Sequence, residues 1–203
     1  GQPAPGAVAT IKSGEQSVLA YPNAKGEFAV HLPPGDYKVE IAERGRASFQ
    51  DTVTVKDDVN VTRVNAKLGP SAGVVFKITG EDGADIPCKA QFIGVDPTKT
   101  PRLGPQNRAH GCVDQWHSER GDFFVPLDPG KYKIIVTRGP EHSHHEQEVE
   151  IKAGATATVE ATLKRLVQTP GWVSTDFHNH STPSGDNQCG TDDRIINLAA
   201  EHI

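Results

Sequence analysis

The sequence predicts a mainly β protein, with two tandem β-sandwiches followed by a short strand–loop–helix unit. Three observations carry that expectation. A hairpin pattern recurs at a constant spacing, runs of period-two hydrophobicity flank each copy, and the texture changes after Pro170. Composition agrees, since 20 Gly and 15 Pro in 203 residues, with few aromatics, suit short strands joined by tight turns.

The repeat comes first because it sets the architecture. Gly26-Glu27-Phe28-Ala29-Val30-His31-Leu32-Pro33-Pro34-Gly35-Asp36-Tyr37-Lys38-Val39 returns 95 residues later as Gly121-Asp122-Phe123-Phe124-Val125-Pro126-Leu127-Asp128-Pro129-Gly130-Lys131-Tyr132-Lys133-Ile134. Such self-similarity marks a duplicated module. In each copy Phe28, Val30 and Leu32, or their counterparts, alternate with other residues as one buried strand face requires. Pro-Pro-Gly or Asp-Pro-Gly supplies the turn, with Pro setting φ and Gly tolerating φ > 0. Tyr37, Val39 and Ile41, or Tyr132, Ile134 and Val136, alternate again on the return strand. Thr52–Val55 and Val59–Leu68 close the first copy; Glu148–Ile151 and Ala155–Leu163 close the second. Strands of this kind bury a face only by packing a second sheet, so each copy is expected to be a sandwich with Phe28 and Phe123 deep in its core. The expected domains are 1–69, 70–168 and 169–203. A long insertion at 95–120 in the second domain carries His110, Cys112, Trp116 and His117, which favour an ordered loop.

The third segment carries the chemistry. Gly171-Trp172-Val173-Ser174-Thr175-Asp176-Phe177-His178-Asn179-His180 reads as a strand, on which Asp176, His178 and His180 share one face. Two imidazoles about 7 Å apart along such a strand can meet one cation. Imidazole suits Zn²⁺ best, and also Mn or Fe. Asp176 is expected to orient a histidine from behind or to be solvated. Ser181–Asp186 then turns the chain. Thr191 is placed as an N-cap, Asp192 and Asp193 complement the positive helix end, and Ile195, Leu198, Ala199 and Ile203 mark the apolar stripe of a helix reaching the last residue.

These residues resemble two known groups. The repeated G-x-F-x-x-x-L-x-P-G-x-Y hairpin, over roughly 6–68 and 72–165, is similar to that of carboxypeptidase regulatory-like (transthyretin-like) modules. This resemblance implies an Ig-like, all-β accessory domain and no reaction. Asp176-Phe177-His178-Asn179-His180-Ser181 with Ser184-Gly185-Asp186 resembles the first motif of the PHP (polymerase and histidinol phosphatase) superfamily. Coming after tandem β modules, the run from Gly171 to Ser184 looks more narrowly like the CehA/McbA-type metallohydrolases. The fold implied for 169–203 is thus the first βα unit of a truncated β/α barrel. By that resemblance His178 and His180 bind a divalent metal, and Asp186 is a candidate for a further metal position. The remainder of the barrel is then a partner, the substrate a small-molecule ester, and the 203 residues by themselves inactive.

The net charge of −5 with mixed signs gives no nucleic-acid footprint, and no apolar run is long enough to span a membrane. The polar leader Gly1–Gly6 fits either a mature terminus after signal removal or a remnant of cloning, and composition leaves the compartment open; the expected setting is periplasmic or extracellular. Cys88 and Cys112 are able to pair in such a setting or to remain small buried thiols. Gly69-Pro70-Ser71-Ala72-Gly73 matches a nucleophile elbow in letters only, because no helix follows it. His142-Ser143-His144-His145 reads as a solvated turn, with metal binding the rival reading. The rival to the enzyme as a whole is a non-catalytic cell-envelope binding or structural protein.

Overall fold

Residues 3–4, 6–57 and 61–203 are described in a computed structural model of the chain. The protein is mainly β, as expected, with eleven strands and one helix among these residues. Two compact units are present. Unit 1 runs to Ala72 and includes Ala153–Ala155; unit 2 comprises Gly73–Lys152 and Thr156–Ile203.

Unit 1 holds β1 (Val8–Ser13), β2 (Gln16–Ala20), β3 (Gly35–Ala42) and β4 (Phe49–Val55). They form one antiparallel sheet in the order β2-β1-β3-β4. Alternation decides which face is buried: Ala9 and Ile11 of β1 lie opposite Ile41 and Val39 of β3, and all four are buried. The two further strands expected here do not form. Residues 27–32 and 61–68 carry no strand, while Val59 and Asn60, at the start of the second, lie outside the described residues. Phe28, Val30, Leu32 and Leu68 still pack on the sheet, so the hydrophobic alternation is kept without the ladder. The physical reason is visible in the other unit.

Unit 2 holds β5 (Gly73–Thr79), β6 (Cys88–Gly94), β7 (Gln115–Ser118), β8 (Asp122–Pro126), β9 (Gly130–Thr137), β10 (His145–Ile151) and β11 (Thr156–Thr162). Four strands make a sheet in the order β10-β9-β6-β7, which repeats the order of unit 1 read from β4 to β2. The other three make a second sheet, β11-β5-β8, with β5 parallel to β11 and antiparallel to β8. The sheets face one another, since Phe76 of β5 meets Phe92 of β6 edge to face at 5.9 Å between ring centres. Val74, Phe76 and Ile78 of β5, Ala90 and Phe92 of β6, Ile134 and Val136 of β9, and Val159 of β11 are fully buried between them. In this sheet β5 supplies backbone partners to β8 and β11 at once. Unit 1 has no counterpart of β5 among its described residues, so 27–32 and 61–68 lack the strand that would pair with both.

The repeat is realised at its turn as well. Tyr37 donates its hydroxyl hydrogen to the Pro33 carbonyl at 2.9 Å, and Tyr132 does the same to Asp128 at 3.0 Å. Both bonds span the Pro-Gly turn and tie the return strand to the segment before it. Phe123 is only half-buried, as is Phe28, and the fully buried phenylalanines are instead Phe92 and Phe76, on which Phe123 stacks at 4.5 Å. Gly121 shows why the pattern opens on glycine, because a Cβ there would lie 1.8 Å from the Ile78 carbonyl oxygen of β5.

Phe76→Ala empties the centre of this core and is expected to destabilise unit 2 by about 3–5 kcal/mol. Both tryptophans, Trp116 and Trp172, lie in unit 2, so a urea titration followed by tryptophan fluorescence reports that unit. A loss below about 1 kcal/mol would contradict the packing described.

Candidate functional site

The inserted segment and the chain terminus build the site together. The insertion is the connection between β6 and β7, where unit 1 has only the tight Gly14-Glu15 turn. It was expected to be loop throughout 95–120, but β7 lies within it and pairs with β6. Its ordered parts are held by Leu103 and Ala109, both buried, and by His110 stacked on Trp116 at 5.4 Å. His110 also meets Glu119 at 2.9 Å. His117 is buried beneath it, and that burial, with the nearby Lys89 charge, lowers its pKa from the ordinary 6.5.

The insertion in turn grips the terminal segment. Asn107 donates to the Gln188 carbonyl at 3.1 Å, and the Ala109 N–H donates to the Asp193 carboxylate at 2.8 Å. Asp193 sits in the first turn of α1 (Thr191–Ala200), where a carboxylate also suits the positive helix end. The helix packs on β7 and β6, buries Ala200, and is anchored beyond its end by an ion pair between Lys89 of β6 and Glu201. Two expectations about it are corrected. Gly190 is the N-cap in place of Thr191, with no side-chain cap, and the helix stops at Ala200 in a turn with His202 at φ 59°. Ile195 and Ile203 remain exposed, so the apolar stripe is only partly covered.

The segment ahead of the helix differs most from expectation. Residues 171–180 form no strand and pair with none, so Asp176, His178 and His180 do not lie along a strand face. Local hydrogen bonds shape the loop instead. The Asp176 carboxylate accepts the His178 N–H at 2.9 Å and the Asn179 amide at 2.8 Å, an Asx-type turn. Those two bonds, the backbone one foremost, hold its carboxyl below the usual aspartate range. This turn brings the rings of His178 and His180 within 4.9 Å, centre to centre.

Behind His180 is a second small network. Its Nδ1 lies 2.9 Å from Asp186 Oδ1 and 3.1 Å from Ser184 Oγ, and Ser184 Oγ–H donates to Asp186 at 2.6 Å. The Ser184 hydroxyl and then the His180 ring hold the Asp186 carboxyl below its ordinary range. Arg194 of α1 donates Nε–H to the His180 carbonyl at 3.0 Å, which ties the loop to the helix. Together Asp176, His178, Asn179, His180, Asp186, Asn187 and Arg194 line an open cleft of about 210 Å³.

What this arrangement offers a cation is two imidazoles, with the Nε2 face of His180 left open by the bonds at Nδ1. Asp186 therefore stands where a carboxylate orients a histidine, the part expected of Asp176, while Asp176 shapes the backbone. Among the described residues no three His, Cys, Asp or Glu side chains converge to hold a metal ion, so the donor set fits a divalent cation in part only. Within the other histidine cluster, His142 and His202 meet edge to face at 4.9 Å and His202 lies 3.4 Å from Glu141. Sequence reasoning missed His202 and Arg194, since neither belongs to a motif. All three cysteines are free thiols, with Cys88 buried and pushed up to about 12 by that burial.

No family model matches the chain, and no curated protein matches it. Among solved structures it is similar to GBS52, the minor pilin of the Gram-positive pathogen Streptococcus agalactiae, at 17% identity and TM-score 0.35 over 86% of this chain and 88% of that one. It is also similar to the Bacillus anthracis TIE protein, at 16% identity and TM-score 0.33, covering 81% of this chain and 31% of that one. A streptococcal ancillary pilin matches at 18% identity and TM-score 0.33, over 79% and 57%. At these scores the likenesses decide neither fold nor function.

Because burial lowers the His117 pKa from 6.5, the unfolded chain takes up a proton there more readily than unit 2 does as pH falls below 6.5. The stability of unit 2 is therefore expected to decline from pH 7.5 to 5.5, with His142, likewise lowered by burial, adding in the same sense. In urea titrations at the two pH values, His117→Leu should shrink the decline; an unchanged decline would remove His117 from the account.

Proposed function

We propose that the chain is the N-terminal region of a PHP-type metal-dependent hydrolase, with β accessory modules leading into the start of the catalytic domain. The observation that carries this reading is the Asp176–Ser181 motif, whose two histidine rings stand side by side with His180 fixed from behind by Asp186. His178 and His180 would hold the ion, with Zn²⁺ favoured by imidazole donors over Mn or Fe. A bound divalent ion supplies Lewis acidity and lowers the pKa of water, the chemistry that cleaves a phosphoester or carbamate-like ester. The protein's own part is to orient His180 through Asp186 and Ser184, and to tie its carbonyl to α1 through Arg194. The remaining ligands belong to the rest of the barrel, so the 203 residues are inactive alone. Under this reading the protein acts in the periplasm or outside the cell.

A second reading, a non-catalytic cell-envelope binding or structural protein, is favoured by one observation. Trp172, Val173 and Phe177 are 80%, 83% and 97% exposed on a segment that pairs with no strand. In the hydrolase reading this apolar stretch is the edge that later barrel strands cover.

Isothermal calorimetry with Zn²⁺ separates the two. The chain is expected to bind one ion weakly, as two ligands fall short of the three or four of ordinary sites. His178→Ala should abolish the heat, and Asp186→Asn should weaken binding, by about tenfold if it acts through His180. Unchanged binding in His178→Ala would move the ion to His142, His144 and His145 and remove the support for the hydrolase.

A further inference from the structure

We infer that unit 1 takes up one more β-strand, pairing with residues 27–32 on one side and 61–68 on the other, and that the strand comes from the same polypeptide ahead of Gly1. Unit 2 shows the arrangement complete. There β5 runs antiparallel to β8 and parallel to β11, and its Val74, Phe76 and Ile78 fill the core. Residues 27–32 and 61–68 are the repeat counterparts of β8 and β11. The first presents Phe28, Val30 and Leu32 to the β1–β3 sheet, and the second packs there through Leu68 at its end. Yet among the described residues no backbone hydrogen bond is made by 28–32 or by 61–68. Backbone N–H and C=O groups left without partners beside a packed apolar face are a template for a strand.

The pairing registers say where that strand belongs in the chain. Ala9 and Ile11 of β1 oppose Ile41 and Val39, as Ala90 and Phe92 of β6 oppose Val136 and Ile134. The offset from β1 to β6 is therefore 90 − 9, or 81 residues, and the same for 92 − 11. Carried back by 81, Gly73–Thr79 falls before Gly1. The path of the leader agrees. In unit 2 the Ile78 N–H donates to the Gly121 carbonyl at 3.0 Å, so the end of β5 abuts the glycine that opens β8. In unit 1 the counterpart glycine, Gly26, is abutted by Pro3 and Ala4: a Cβ on it would lie 3.3 Å from Ala4 N and 3.4 Å from Pro3 Cα. Ala4 also packs against the core. Pro3 and Ala4 thus lie at the end of 27–32 that the last residues of β5 take in unit 2. The strand required has apolar residues at alternate positions, to meet Phe28, Val30 and Leu32.

Hydrogen exchange read by mass spectrometry tests this on the chain beginning at Gly1 and on the polypeptide carrying its natural upstream residues. The extension is expected to slow the amides of 28–32 and 61–68 roughly tenfold or more, leaving those of β3 unchanged as an internal reference. Equal rates in the two polypeptides would overturn the inference. So would protection of the Gly1 chain that rises with protein concentration, which would make a second copy the strand donor. An upstream sequence with no alternating apolar run of about seven residues would overturn it as well.

Discussion

A strand inside a sandwich must satisfy two rows of backbone groups, and in unit 2 that demand is met by β5. It is the one strand of its sheet with a partner on each edge, and its three inward side chains are completely buried. Everything else in the unit is arranged about it. Phe123 stacks on its ring, Phe92 meets that ring from the opposite sheet, and Gly121 has no side chain because the β5 carbonyl lies where one would be. In unit 1, where no counterpart is present among the described residues, the same hydrophobic pattern stops at side-chain packing and builds a single sheet.

The surface built on this frame depends on the insertion between β6 and β7. By stacking His110 on Trp116 and burying His117, it makes a ledge whose backbone amide at Ala109 meets Asp193. That bond, the Lys89–Glu201 ion pair and the Arg194 bond to His180 carry position from the sheet through α1 to the histidine loop. The loop needs such outside support. Its own order comes from short-range bonds of exposed Asp176 and Asp186 and half-buried Ser184, each worth little alone.

Much of the β fold was legible because the repeat exposes both period and turn. The strands on either side of Pro-Gly in the second copy, and the return strands of both, follow directly from alternation at Tyr37–Ile41 and Tyr132–Val136. What alternation does not contain is the partner. Phe28, Val30 and Leu32 read the same whether or not a neighbouring strand is present, so their pattern could not reveal that the ladder was absent. The 171–180 segment failed for a related reason. Asp176 competes for the backbone through its Asx turn, and no adjacent strand offsets that preference. The site residues themselves, His178, His180 and Asp186, do come together in one cleft. That Asp186 and not Asp176 bonds the His180 ring was hidden because both lie in a turn-rich stretch where spacing says little about direction.

The central functional claim is that His178 and His180 supply part of a divalent-metal centre completed by downstream sequence. Metal content of the polypeptide extended to the end of its reading frame, measured by inductively coupled plasma mass spectrometry after purification without added metal, addresses it most directly. The account predicts at least one tightly held transition-metal ion per chain, lost when His178 and His180 are both replaced by Ala while the β units stay folded. A metal-free extended protein, or one whose metal is untouched by the double replacement, would contradict it.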